Sequence, residues 1–499
     1  MQRICLVIPP SGFLLDERVF MSLGILRVAA VLERAGWQVE MLDLSGYKNF
    51  AEAVADHARM SACRIFGVTA TTPQMPAAAQ VAETIRAVRP DARLILGGPH
   101  ATLVWAAKKY EDKHARTGRA SRAFARLESL FDVLVAGDGE EAIFAAAAPD
   151  APRVIDADGR YSPHFLTSER LNALPLPARH LVDMASYRYS IDAVPATSLI
   201  AQLGCPFGCG FCAGRRSPSL RHVRMRSAQG IVAEMTHIYR AYGHRGFMFY
   251  DDELNVNKGM LELMERIARA QRDLNTQWRL RGFVKAELFD DAQAQAMYAA
   301  GFRWILVGFE SGAPRILDNT NKKATGEDNT ACIETARRHG LKVKALMSLG
   351  HPGESPDTAR ATRDWLLAVR PADFDVSIIT PYPGSPYYDE ALPSADGIWT
   401  YTAPSGDRLH QQEIDYTQDA DYYKGDPADG YVSHVFTDHL TRGELITTRD
   451  DIERTVRARL DIPFNPSAAS LLYEHSMGMS LPPRLLRTTA ARAYAAAMP

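Results

Sequence analysis

The stretch GCPFGCGFC (204–212) gathers Cys205, Cys209 and Cys212, half of the chain's six cysteines, into eight positions. Thiolates held this close together ligate metal. Their number narrows the chemistry, because a structural zinc site closes on four ligands and a disulfide needs two. Three suits a centre left one ligand short. Iron–sulfur clusters are held by cysteine thiolates, and a four-iron cluster with three protein ligands keeps one iron open to an outside molecule. A zinc site completed by a distant histidine would use the same spacing. Gly204, Gly208 and Gly210 would let the loop curl and bring backbone N–H groups toward the cluster sulfurs.

Other polar residues fall at the ends of apolar runs. FMFYDDELN (247–255) ends in Tyr250, Asp251, Asp252 and Glu253, and WILVGFESG (304–312) in Glu310 and Ser311. LRGFVKAE (280–287) carries Arg281 and Lys285, SLGHPGES (348–355) carries His351, and PYPGSPYY (381–388) carries Tyr382. Acids after a strand also cap helices, so the acidic positions have a structural reading beside the functional one. Arg281 and Lys285 have a surface reading.

These runs belong to two alternations of strand and helix, the pattern of parallel sheets. In the first, RICLVI (3–8), WQVEMLDL (37–44), RIFGVTA (64–70), ARLILGG (92–98) and FDVLVAG (131–137) are strands. LGILRVAAVLERAG (23–36) and PAAAQVAETIRAVRP (76–90) are helices between them, and the basic segment 108–122 reads as a solvated insertion. Residues 151–195, rich in proline, read as a linker. The second alternation has strands near 197–203, 245–251, 278–284, 302–309, 341–348 and 374–380. Six βα units fall short of the eight of a closed barrel, which predicts a partial (β/α)6 TIM-like barrel over 196–394. Its helix 227–243 has Ser227 to cap it and Gly243 to close it. The alternation then stops, and with a clear helix at 442–460 the tail (395–499) is expected to be a mainly helical cap.

The bulk numbers agree with a folded α/β protein of about three domains in 499 residues, with 46% apolar and 23% charged residues. A formal net charge of −2 gives no electrostatic case for nucleic acid. No apolar run approaches a membrane span, and the start MQRICLVIPP lacks a signal peptide's layout, so the expected location is cytoplasmic, away from any membrane. Cys5, Cys63 and Cys332 read as small core residues.

C-x3-C-x2-C with Phe211 before the last cysteine, at the start of a βα barrel, resembles the radical S-adenosylmethionine (SAM) enzymes. The resemblance implies that Cys205, Cys209 and Cys212 hold a 4Fe–4S cluster whose fourth iron chelates the amino and carboxylate groups of SAM. It also implies that Asp252 or Glu253 holds the SAM ammonium beside Tyr250, and that Glu310 and Ser311 contact SAM. Arg281 or Lys285 would pair with its carboxylate. His351 and Tyr382 would face the substrate.

The domain over 1–150 is Rossmann-like, and its place ahead of such a barrel resembles the cobalamin-binding arrangement. Gly97 and Gly98 match that fold's Gly-Gly pair and would admit a nucleotide tail; Thr69 and Thr71 would offer hydroxyls. AGDGEEA (136–142) is similar to its closing turn. The D-x-H-x-x-G signature is missing, because PPSGFLLDERVFMSLG holds no histidine. A histidine of that motif is therefore not the lower axial ligand, and His100 reads as a polar rim residue.

Taken whole, the resemblance implies a cobalamin-dependent radical SAM methyltransferase that carries a methyl group from methylcobalamin to a carbon of a small-molecule or natural-product substrate. A cyclase or rearrangement enzyme, or a barrel whose first domain no longer binds cobalamin, are the alternatives. An external one-electron reductant of flavodoxin or ferredoxin type is implied as a partner. The acidic, aromatic stretch 415–434 is expected to shape a lid, and 473–486, with His475, to dock on the barrel.

Overall fold

The computed structural model describes residues 2–11, 16–394, 396–420, 432–463 and 472–489. Its first sheet is built from β1 (Arg3–Ile8), β2 (Gln38–Asp43), β3 (Ile65–Thr69), β4 (Arg93–Gly97), β5 (Val133–Gly137) and β6 (Val154–Ala157), all parallel. Every residue of β1 after Arg3 is buried, as a strand covered by helices on both faces requires. Ile4, Leu6 and Ile8 pack with Leu26 and Ala29 of the helix Leu23–Arg34. The alternate residues Cys5 and Val7 pack on the other face with the helices Phe50–Met60 and Met75–Val88. The spatial order β2-β1-β3-β4-β5-β6 reverses between β1 and β3. Such a switch opens a crevice beyond the carboxyl ends of the strands.

The second sheet starts with the hairpin β7 (Ser190–Ile191) and β8 (Val194–Leu199). A short antiparallel pair, β9 (Gln202–Leu203) with β10 (Arg224–Met225), follows. Then come β11 (Gly246–Phe249), β12 (Arg279–Phe283), β13 (Phe302–Glu310), β14 (Lys342–Leu349) and β15 (Asp373–Ile378). From β8 through β15 the long strands pair in parallel, giving six strands of a partial barrel in the order β15-β14-β13-β12-β11-β8. Phe247, Phe249, Leu280, Ile305, Val307 and Phe309 face the outer helices in one continuous core. The helix Ala228–Tyr242 has its expected ends: Ser227 accepts from the Gly230 N–H, and Gly243 closes it at φ +73°.

Three expectations are corrected. The segment 108–122 is not a solvated insertion: it ends the helix Pro99–Lys113 and opens the helix Arg119–Leu130. Lys109 pairs with Asp156 and Asp158, Arg122 with Glu413, and buried Arg119 lies 3.6 Å from the Tyr388 ring centre. Its charges fasten the first domain to its neighbours. The tail is not mainly helical. β16 (Leu392–Pro393), β17 (Ile398–Thr402), β18 (Arg408–Gln412) and β19 (Val435–Thr437) form an antiparallel sheet, followed by the helix Arg442–Leu460. The β-branched and aromatic run IWTYT and the turn at Gly406 (φ +90°) specify a hairpin there. Residues 473–486 do not dock on the barrel. Asn49 exchanges hydrogen bonds with the His475 backbone, and β20 (Leu486–Thr488) adds antiparallel to β2 at the edge of the first sheet. Of the stretch 415–434, residues 421–431 lie outside the described residues. Among the described residues, no helix is long and apolar enough to cross a membrane.

Buried polar contacts tie the first domain and the segment after it to the barrel domain. Glu234 on the helix Ala228–Tyr242 receives Arg179 at 2.6 Å and Arg226 at 2.7 Å. Asp158, just past β6, accepts from Ser219 Oγ at 2.8 Å and from the Ser219 N–H at 3.1 Å.

Candidate active site

The cysteine loop leaves β9 and returns through β10, so a two-strand pinch closes its base. Its glycines answer to packing. Gly204 sits at φ +88° with the His222 carbonyl 2.3 Å from where a Cβ would stand, and at Gly210 the Tyr387 ring would be 2.6 Å away. The Gly210 N–H is used within the protein, by the Thr320 carbonyl at 2.8 Å, and is not free for a cluster sulfur. All three cysteines are free thiols, and burial pushes each thiol up, Cys205 to about 12. Their sulfurs do not belong to any set of three donor atoms of described residues lying within 4.8 Å of one another. A tetrahedral zinc ion would bring its sulfur donors to roughly 3.8 Å apart.

The acidic cluster after β11 divides by role. Asp251 is buried and accepts the N–H groups of Ala201 and Gln202, tying β11 to the segment after β8; burial lifts it to about 7 against those bonds. The carboxylates of Asp252 and Glu253 accept no hydrogen bond from another described residue. Both bear on the Cys205 thiol electrostatically. Burial raises both, Glu253 to about 7, although Lys322 and Lys285 pull it down.

Glu310 ends β13 at a bulge, with the left-handed φ of +64°, a conformation costly for a residue with a Cβ. Lys322 donates to one of its oxygens and Ser348 to the other, each at 2.8 Å. Burial would raise its pKa, but Lys322 and the Ser348 bond hold it below the usual range. The chain continues from Ser348 to His351 Nε2 at 2.7 Å, from His351 Nδ1 to the Tyr387 hydroxyl at 3.4 Å, and from Tyr387 to the Asn319 carbonyl. The Tyr387 N–H binds the Gly210 carbonyl, and Phe211 meets the His351 ring edge-on at 5.4 Å. This network underpins the cysteine loop. His351 is fully buried within it, and burial lowers it to about 4, so it is neutral.

The remaining positions scatter. Lys285 is buried, bonds the Lys322 carbonyl and pairs with Glu287, and its ammonium lies 4.3 Å from the Phe207 ring centre. Arg281 lies lower in the barrel beside Tyr189 and Trp304. Ser311 turns away, bonding Thr362 and the Ala313 N–H. Tyr250 is 48% exposed although it stands between two domains: Phe20, from the segment after β1, lies 5.2 Å from it and Phe283 6.2 Å. The carboxyl ends of the two sheets therefore face one another. Tyr382 packs on Tyr416, which also meets His100.

On the first sheet's rim, Gly98 (φ +92°) packs tightly on Thr69 Oγ1 and the Ala70 backbone, so its missing side chain serves the sheet. Gly97 is open apart from Val135. The Thr71 hydroxyl bonds Gln74. His100 is not a rim residue: it is buried, bonded to Thr72 at 3.0 Å, and lowered by burial to about 3. Lys322, Ser348, Tyr387 and Phe20 escaped the sequence reading. Lys322 follows Glu310 by twelve residues in a polar loop that nothing marks, and the other three gain meaning only through spatial neighbours.

Residues 199–366 match the radical SAM superfamily and residues 17–128 the B12 binding domain. An uncharacterized methyltransferase of Pyrococcus horikoshii is 26% identical over 398 residues, covering 78% of this chain and 83% of that one. The anaerobic magnesium-protoporphyrin IX monomethyl ester cyclase of Rubrivivax gelatinosus is 25% identical over 65% of this chain, which spans 58% of that enzyme's length. Among solved structures, the radical SAM methyltransferase TsrM of Kitasatospora setae, with cobalamin and a 4Fe–4S cluster bound, aligns over 95% of this chain and 93% of its own. The TM-score is 0.64 at 18% identity, a likeness of fold. The open three-thiol loop on a partial barrel and the sheet turned toward it thus coincide with a radical SAM domain over residues 199–366 and a B12-binding domain over residues 17–128.

Proposed function

We propose that the protein is a cobalamin-dependent radical SAM methyltransferase that alkylates a carbon of a small molecule held between the two sheet rims. One observation carries the reading: Phe20 of the B12-binding domain packs on Tyr250, two and three residues before the acids that bear on the Cys205 thiol, so cofactors bound at the two rims would share one chamber. The residues fit these cofactors. Three free thiols in one short loop suit a cluster, and two carboxylates that accept no hydrogen bond among the described residues suit the SAM ammonium. The crevice between β1 and β3 suits a large, flat ligand.

When bound, the cluster with SAM supplies one-electron radical chemistry, and cobalamin supplies the methyl group. The protein positions and shields. Asp252 and Glu253 would take the ammonium, while Glu310, kept ionised by Lys322, would accept ribose or amino N–H and O–H groups. Asp251 fixes the strand end from which these acids project. Tyr387 and His351 brace the loop from below, and Phe207 and Phe211 keep water from its flanks. Tyr250 and Tyr382 would line the substrate's side of the chamber. An external one-electron donor completes the reaction.

The test is anaerobic reconstitution with hydroxocobalamin and methyl-labelled SAM. Corrin absorbance retained on the protein, with label appearing in a product one CH2 unit heavier than its precursor, is the expected outcome. The cyclase relative keeps a second reading open to the same assay, in which the product would form without gaining label.

A further inference from the structure

At the base of the first domain, opposite the rim that faces the barrel, a second group of metal-binding side chains converges. Cys5 on β1 and Glu40 on β2 are direct partners in the parallel register, so their side chains share one face of the sheet. The helix Phe50–Met60 lays His57 on that face. The Cys5 sulfur, a Glu40 oxygen and a His57 ring nitrogen all lie within 4.8 Å of one another, the one such set among the described residues. Cys63, in the turn leading into β3, adds a thiol that interacts with the Glu40 carboxylate but stands outside that set.

We propose that these residues bind a divalent ion of the zinc type, with Cys5, Glu40 and His57 as ligands and Cys63 as the fourth. Mixed sulfur, nitrogen and oxygen donors in a set of four describe a closed tetrahedral zinc site. With Zn–S of about 2.3 Å and Zn–N or Zn–O of about 2.0–2.2 Å, tetrahedral donors stand roughly 3.3–3.8 Å apart, which small side-chain adjustments would reach for Cys5, Glu40 and His57, while the Cys63 side chain would rotate in to complete the set. His57 Nε2 and Glu40 Oε2 now stand in a hydrogen bond at 2.8 Å; the ion would take the place of that bond, with His57 bound as the neutral imidazole carrying its proton on Nδ1, and the protons of the two thiols would leave to solvent.

The surroundings are built as a ligand shell is built. The Ser61 hydroxyl donates to Glu40 at 2.7 Å and accepts the Cys63 N–H at 3.0 Å, orienting two of the four donors. The Arg89 guanidinium binds the carbonyls of Ala58, Ser61 and Cys63, so the turn that carries the fourth donor is fixed. Cys5 is fully buried, but the Glu40 side chain is 20% exposed, which gives an ion its way in. An ion there would tie two strands, a helix and the entry to β3 together, and its binding free energy would add to the stability of the domain.

The test uses the full chain, wild type and a variant with Cys205, Cys209 and Cys212 all changed to Ala, purified without chelator and analysed for zinc and iron. About one zinc per chain is expected in both, with iron lost only from the variant. Added separately to that variant, Cys5→Ala and His57→Gln should each lower zinc below about 0.1 equivalent, while Ser61→Ala weakens zinc binding about tenfold. Cobalt titrated into the cysteine-loop variant should give thiolate-to-metal charge-transfer absorption that Cys5→Ala removes. Absence of both zinc and that absorption overturns the proposal. So does zinc that disappears with the loop cysteines, since it would have occupied the loop. Neither result bears on the methyl-transfer assay.

Discussion

The two rims that face each other across the chamber are built from opposite materials. The barrel rim is charged and reactive: three free thiols, two carboxylates without partners, and Glu310 held between Lys322 and Ser348. The B12-domain rim offers backbone, hydroxyls and glycine, while His100, below it, is buried and neutral. The first surface suits small ions and zwitterions, where a single charge carries much of the binding. The second suits a large ligand, held by shape and many weak contacts. Loss of one residue should therefore be severe on the barrel side and graded on the other.

The sharpest break is Cys209→Ala, which should abolish cluster iron and SAM cleavage while cobalamin still loads, as read by iron analysis and corrin absorbance. Failure of cobalamin loading in that variant would dissolve the division of labour between the rims. Next in size is a pH effect under the barrel rim. Buried Glu354, bonded by Thr358, is raised by burial to about 7. A carboxyl whose folded pKa lies above its unfolded value contributes stability below about pH 4.5, and that contribution is lost as pH rises through about 7. Over that window up to about 3 kcal/mol should disappear, and Glu354→Gln should flatten the corresponding fall of Tm.

On the opposite rim, Gly98→Ala must place a Cβ 2.6 Å from Thr69 Oγ1 at a positive φ. A loss of about 2 kcal/mol is expected, with weaker corrin retention and unchanged iron. The smallest effect separates two neighbouring acids. Glu253→Gln should weaken SAM binding about tenfold, or about 1.4 kcal/mol, and leave Tm unchanged. Asp251→Ala should lower Tm instead, because two backbone N–H groups lose their acceptor. Calorimetry of SAM binding beside thermal melts distinguishes the pair.

Much of this contrast was legible in the chain. Strands such as RICLVI, GFMF and RWILVGFE are apolar runs bounded by turn residues, and they formed where that pattern places them. The cysteine spacing announced its own chemistry. What stayed hidden depended on neighbours distant in sequence. Nothing local separates Asp251 from Asp252, yet one faces backbone donors and the other the thiols. Ser311 and Glu310 are adjacent, but the bulge at the end of β13 sends them to different surroundings. The cap was read as helical from the one clear helix at 442–460, whereas the period-two burial of β18 made a sheet ahead of it.

By itself, the sequence determined the two parallel sheets and the open three-thiol loop, because hydrophobic period and residue type act locally. Only the tertiary structure decided which charges are consumed by the scaffold and which are left for ligands. A carboxylate's availability depends on every donor that the fold brings within about 3 Å of it.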